Sequence, residues 1–183
     1  MAVALAKSDA ASSPASAWKA EYGRFWPDGH RFYAPVTGIQ PGEVGLINAR
    51  TDPTKLSTGV MVLYADDTEF TYITPQGHPF AGWITFSAFE EGETTFAQIH
   101  LLIRPNDPIY EAAFFVFGSR AEDKMWQHTL RQLAAHLGTT ADVETDIVKV
   151  DRKRQWKYFG NIRHNSVART SVRKPIWRKP SAS

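Results

Sequence analysis

The chain has 183 residues, 43% of them hydrophobic and 22% charged, with no cysteine and a formal net charge of +2. The apolar fraction is too high for a wholly disordered protein and supplies a sizeable core for one domain of ordinary size. The absent cysteines exclude a disulfide scaffold, a thiolate metal site and a cysteine nucleophile, and fit a reducing, cytoplasmic setting.

Residues 1–16 are rich in Ala and Ser and read as a disordered leader. Ser8, Asp9, Ser12, Ser13 and Pro14 interrupt its apolar start, so no secretory apolar region forms. From Ala17 to Pro53, Trp18, Tyr22, Phe25, Trp26, Phe32 and Tyr33 are anchors to bury, without a clean period. A short helix is expected near Trp18 to Phe25, and a strand at Val44 to Asn48.

The middle of the chain has a sharper pattern. Val60 to Tyr64, Thr68 to Thr74, Ala81 to Phe89 and Thr94 to Arg104 are rich in β-branched and aromatic residues. Turn residues separate them: Ala65-Asp66-Asp67, the Pro75 to Pro79 stretch, and Glu90 to Glu93. Such short separators make the strands antiparallel neighbours in a meander. In the last strand Thr95, Ala97, Ile99, Leu101 and Ile103 share the packed face, opposite Phe96, Gln98, His100, Leu102 and Arg104.

Asp107 is placed as an N-cap with Pro108 at the first helical position and Glu111 close behind. Gly118 interrupts this segment. A second helix over Ala121 to Leu137 carries Trp126, Leu130, Leu133 and Leu137 at helical spacing, and Gly138 ends it. The fold class is therefore α+β, a curved antiparallel meander sheet on a C-terminal amphipathic helix, spanning 17–138. The most apolar later run, Ala112 to Phe117, is far short of the roughly 20 residues of a membrane-spanning helix.

Residues 139–183 form a polar linker and a basic, aromatic tail. The last 35 residues hold 11 Lys and Arg against one acid, Asp151, a balance of +10; the preceding 148 residues carry −8. In the tail Arg152, Lys153, Arg154, Lys157, Arg173, Lys174, Arg178 and Lys179 are interleaved with Trp156, Tyr158, Phe159 and Trp177. Cations neutralise phosphates while rings stack on bases. The same composition suits docking on an acidic protein surface, and a purely solubilising tail has no need of tryptophan.

Phe70, Tyr72, Thr74, Gly77, His78, Pro79, Gly82 and Phe86 form the pattern F-x-Y-x-T-x-x-G-H-P followed by G-x-x-x-F. With the acidic hairpin, Arg104-Pro105 and the Trp-bearing helix, this resembles the START/SRPBCC helix-grip superfamily over about 60–137. It is most similar to uncharacterised bacterial and plant members grouped as a domain of unknown function. The resemblance implies a sheet gripping a long helix, with a cavity between them for a small apolar ligand. That superfamily includes lipid binders, cyclases and hydrolases, so the fold by itself assigns no reaction.

Tyr72, Thr74, His78, Trp83 and Trp126 are the cavity candidates, each with a core-filling or turn-forming alternative. For His78 the alternative is a turn in which Pro75 fixes φ and Gly77 supplies a positive φ. His128 and His136 are eight apart, too far to share a metal on one helical face, and no phosphate loop, nucleophile elbow or zinc pattern is present. No catalytic residue, metal or cofactor is assigned. The function expected is a non-enzymatic binding protein, holding a small apolar ligand or serving as a docking platform. The alternatives are an accessory subunit of a larger assembly, binding RNA or an acidic protein through 149–183, and a cyclase- or hydrolase-like enzyme using His78 with Tyr72. A homo-oligomer is a further expectation.

Overall fold

Turns as short as Asp66-Asp67-Thr68 and Gly92-Glu93 cannot carry a chain across a sheet, so the strands they join pair antiparallel. In a computed structural model, which describes residues 2–5, 13–51, 54–114, 116, 119–151, 153 and 156–166, this rule extends over six strands. These are β2 (His30–Tyr33), β3 (Val44–Thr51), β4 (Thr54–Ala65), β5 (Glu69–Ile73), β6 (Phe80–Glu91) and β7 (Thr94–Pro105). With β1 (Ala2–Leu5) and β8 (Ala141–Glu144) they form one antiparallel sheet in the order β2-β3-β4-β5-β6-β7-β1-β8. The sheet is curved.

One face is covered by helices. Ser13 caps α1 (Pro14–Glu21), accepting from the Ser16 N–H at 3.2 Å, with Pro14 in the first turn. A 3-10 turn, Tyr22–Phe25, follows directly, so Trp18, Tyr22 and Phe25 recur at helical spacing and are buried together. Trp18 meets Phe70 and Phe86 edge-on, Tyr22 does the same, and Phe70 stacks on Phe86. Burying each such ring contributes about 2–3 kcal/mol, before edge-to-face contacts add to it.

Asp107 caps α2 (Pro108–Ala113), its Oδ1 accepting from Ile109 N at 2.8 Å and Tyr110 N at 3.0 Å. Helix α3 (Ser119–His136) presses Trp126, Leu130, Leu133 and Ala134 onto the same core. It ends as a glycine-capped helix does. Gly138 takes φ +74, its N–H bonds Ala135 O at 3.1 Å, and Thr139 N reaches back to Ala134 O at 3.0 Å. The inner set of β7 is as expected, with Ala97 and Ile99 fully buried. No described helix is long and apolar enough to cross a membrane.

Three expectations change. Ala2–Leu5 do not belong to a structureless leader: they pair with both β7 and β8, because four extended residues suffice to bridge two strand edges. The domain does not end at 138: β8 adds Ala141 and Val143 beside the core, and a 3-10 segment, Trp156–His164, folds back against α2. Strand β2 is an addition to the expected set; its four residues pair with β3 from His30–Ala49 to Tyr33–Leu46. Gly118 lies outside the described residues.

Candidate functional site

The glycine-, histidine- and proline-rich motif builds a corner. Thr74 Oγ1 accepts the Gly82 N–H at 3.1 Å and donates to the Gly82 carbonyl at 3.2 Å, while Thr74 N bonds that carbonyl at 3.1 Å. His78 Nδ1 lies 3.1 Å from the Phe80 N and 3.0 Å from the Phe80 carbonyl, accepting from the first when unprotonated and donating to the second when protonated. Burial pulls the His78 imidazole down to about 4, with the Phe80 carbonyl offsetting part of the shift, so the ring is neutral at neutral pH. Gly77, at φ +87, accepts the Ser166 N–H through its carbonyl at 3.1 Å, and the His164 carbonyl lies over its Cα. Asn161 Nδ2 donates to Asn106 O at 2.9 Å, and Asn165 Nδ2 to Oδ2 of the 1%-exposed Asp107 at 3.0 Å. The motif therefore ties the β5–β6 turn, the end of β7, α2 and the C-terminal segment into one joint.

A side chain at Gly77 would strain the backbone and collide with the His164 carbonyl. Gly77→Ala is expected to cost about 2 kcal/mol and to release the 156–166 segment. Hydrogen exchange would then rise across 156–166 while β5 to β7 stay protected; unchanged protection at 156–166 would contradict this joint.

The inner face carries a different constellation, with Tyr72 and Trp126 in it. Tyr22 sits at ring-centroid distances of 5.6 Å from both Trp26 and Tyr72, and 4.7 Å from Phe32. Trp26 lies 6.3 Å from Trp126, whose Nε1–H donates to Glu122 Oε1 at 3.0 Å. Among the described residues, three polar atoms of this aromatic nest and its rim are buried without a hydrogen-bond partner: Trp18 Nε1, Trp26 Nε1 and the Tyr72 hydroxyl. Such groups are rare in native proteins, and each calls for an acceptor.

Electrostatics follow from the same burial. Desolvation pushes the Glu122 carboxyl up to about 7, the Trp126 hydrogen bond opposes this, and Asp123 adds to the rise. Burial also raises the phenols of Tyr72 and Tyr22; for Tyr22 the Tyr72 and Glu122 charges add to it. The Trp26 indole eases the Tyr22 shift without reaching hydrogen-bond geometry. The nest thus offers donors from ring N–H and O–H groups, beside a carboxyl that changes charge near neutral pH. Since the Tyr72 hydroxyl has no partner, Tyr72→Phe is expected to stabilise the free protein by about 1 kcal/mol in urea unfolding. A loss of stability would show that the hydroxyl is satisfied.

Of the five cavity candidates, Tyr72 and Trp126 belong to the nest, and Thr74 and His78 to the corner. Trp83 is on the opposite face of the sheet, 42% exposed, because it alternates with the inward Ile84. No hydrogen bond joins His78 to Tyr72 among the described residues. Glu122 and its rise escaped the sequence reading, although its i, i+4 spacing from Trp126 was available. Among the described residues no group of three or more His, Cys, Asp or Glu could hold a metal.

In the tail, Lys153 and Lys157 are exposed, and the Lys157 ammonium and Arg104 guanidinium both lie over the Tyr158 ring, at 4.9 and 5.5 Å. Arg152, Arg154, Arg173, Lys174, Trp177, Arg178 and Lys179 are outside the described residues, as is the side chain of Trp156.

No protein-family model and no curated protein sequence matches the chain. Among solved structures it is similar to protein Ms6760 from Mycobacterium smegmatis, at a TM-score of 0.51 and 13% identity, over 75% of this chain and 88% of that one. That likeness shows a shared fold. A protein encoded by gene BPP1335 from Bordetella parapertussis aligns over 96% of this chain and 87% of its own, at 13% identity and a TM-score of 0.44.

Proposed function

We propose that the chain is a non-enzymatic, START/SRPBCC-like binding protein of helix-grip type, holding a small and mainly apolar ligand between the sheet and α3. The observation that carries this reading is the group of three buried donors without partners, Trp18 Nε1, Trp26 Nε1 and the Tyr72 hydroxyl. Aromatic walls with a few convergent polar groups are the usual make-up of a small-ligand site. The ligand that suits them carries at least one hydrogen-bond acceptor on an apolar body. It is small, because Trp18, Phe70, Tyr72 and Phe86 already fill most of the space.

Native mass spectrometry of protein purified without detergent tests this. The expected result is a discrete added mass in the wild type that Tyr72→Phe loses while remaining folded. A wild type carrying no added mass, whose tryptophan fluorescence is indifferent to acceptor-bearing apolar probes, would sink the reading.

A second reading is an accessory subunit binding RNA or an acidic protein surface through the tail. Its support is the exposed set Lys157, Phe159 and Arg163 on a segment that the corner anchors. Lys157→Gln with Arg163→Gln should weaken binding to a single-stranded RNA probe and flatten its salt dependence by about two counterions. An unchanged salt slope would count against the tail.

A further inference from the structure

We propose that the outer face of the sheet, turned away from α1 and α3, is a self-association surface covered by a second copy of this chain. Strand register assembles that surface. Val44 stands opposite Met61, Met61 opposite Ile73, Ile73 opposite Trp83, and Trp83 opposite Leu102. Residues directly opposite in antiparallel strands share a face, so five adjacent strands contribute one unbroken apolar row. Their neighbours along the strands, Val60, Val62, Tyr72 and Ile84, are the ones buried in the core. Beside the row, Tyr33 faces Leu46 across the β2–β3 pair.

The strand irregularity in β4 enlarges this surface. Register shifts between Val62 and Tyr64, and in consequence Leu63 and Tyr64 are both exposed, where regular alternation would send one of them inward. An antiparallel sheet normally turns a polar face to water. This face does not: beside the apolar row the Thr71 and Thr85 hydroxyls bond each other at 2.8 Å, and Thr71 is buried.

Size and charge choose the occupant. Val44, Leu46, Met61, Leu63, Tyr64, Trp83 and Leu102 retain 40 to 56% of their surface, as does Tyr33. Together these leave on the order of 700 Å² exposed, more than a monomer ordinarily shows in one patch and close to the ~800 Å² per partner of a standard interface. The row contains no formal charge; Arg31, Lys55, Glu69 and Arg104 stand at its margins, with Lys157 beside Arg104 at the Tyr158 ring. A polyanion finds no cations to grip along it. The chain's own residues 167–183 carry five cations, and Glu69 is the acid at this row's margin. A second copy presents the same neutral row, and a twofold axis sets one row against the other. Two sheets then pack face to face, with Trp83 well inside the row as the anchor. This inference is independent of the ligand reading, which concerns the other face.

Sedimentation velocity of the full chain tests it, over a roughly hundredfold concentration range and at both low and about 1 M salt. The expected wild-type species has twice the 20.5 kDa of one chain at micromolar concentration, and persists in high salt because an apolar interface is not screened. Trp83→Lys places a charge in the row twice per dimer and should raise the dissociation constant at least 30-fold. Leu46→Lys, at an exposed and separate position, should weaken it in the same direction. Far-UV circular dichroism and the thermal midpoint of both variants should stay close to the wild type, since neither side chain lies in the core. A wild type that stays at 20.5 kDa throughout, a dimer lost in high salt, or folded variants that dimerise as well as the wild type would each overturn the proposal.

Discussion

Gly82→Ala is expected to lower the unfolding free energy by about 4 kcal/mol, a drop in Tm of roughly 8–16 °C for a chain of this length. Two costs act at this one position. The backbone holds φ at +145, a region that side-chain-bearing residues rarely adopt. A Cβ there would also drive into the Leu102 carbonyl and sit 3.0 Å from Ile103 Cα, both backbone of the paired strand. Neither can move without opening the β6–β7 ladder, which runs unbroken from Phe80–Pro105 to Glu91–Thr94. Thr74 would lose its clamp on Gly82 as well. Gly92 supplies the control: its φ is +63, and a methyl group added there would meet nothing within 4 Å. Gly92→Ala should cost about 1 kcal/mol, the left-handed penalty without the collision. Equal midpoints for the two variants in thermal unfolding would show that β6 and β7 are not so close at Gly82.

Glycines 82 and 92 look alike in the bare chain, and the contrast between them marks how far local pattern reaches. Local chemistry was legible where one residue type has one job. Asp107 before Pro108 marks a helix start, Gly138 a helix end, and the Asp66 and Gly92 turns mark hairpins. Tyr72 and Trp126 were readable as inner residues from strand and helix periods. Trp83 was misplaced because an indole with its N–H suits a cavity wall, although its alternation with the inward Ile84 puts it on the outer face. The Thr74-Gly77-His78-Pro79-Gly82 motif was visible as a motif, but its meaning depends on Asn106, Asp107, Asn165 and Ser166. Those partners lie up to 92 residues away, between Thr74 and Ser166, and no local pattern brings them together. Strands β1 and β8 fail for a related reason. Each has four residues, too few for a period, and their pairing partners are contributed from opposite ends of the chain.

Between about pH 4.5 and 6.5, Glu122 and His78 are expected to pull stability in opposite directions and largely cancel. Burial raises the Glu122 carboxyl from 4.5 to about 7, so its favourable contribution is complete below 4.5 and is lost as pH rises through 7. Burial lowers the His78 imidazole from 6.5 to about 4, so its contribution is complete above 6.5 and is lost as pH falls through 4. At 1.36 kcal/mol per unit each swing approaches about 3 kcal/mol, reduced to about 2 because both side chains keep some contact with water. Glu122→Gln retains an acceptor for the Trp126 N–H and removes one of the two slopes. Its stability should climb by about 2 kcal/mol from about pH 4 to 6.5, and at about pH 8 it should exceed the wild type by a similar amount. His78→Asn retains an acceptor for the Phe80 N–H and should show the reverse, falling between about pH 4.5 and 7. Asp66 acts outside this window: the Tyr64 hydroxyl and the Thr68 and Glu69 amides hold its carboxyl below the usual range, so its contribution fades under more acid conditions. Urea midpoints at several pH values separate the three groups. Single variants that keep the wild-type pH profile would mean that neither group is as buried as its surroundings indicate. Opposed slopes would confirm a proton-sensitive carboxyl at Glu122, beside the Trp126 indole of the inner face.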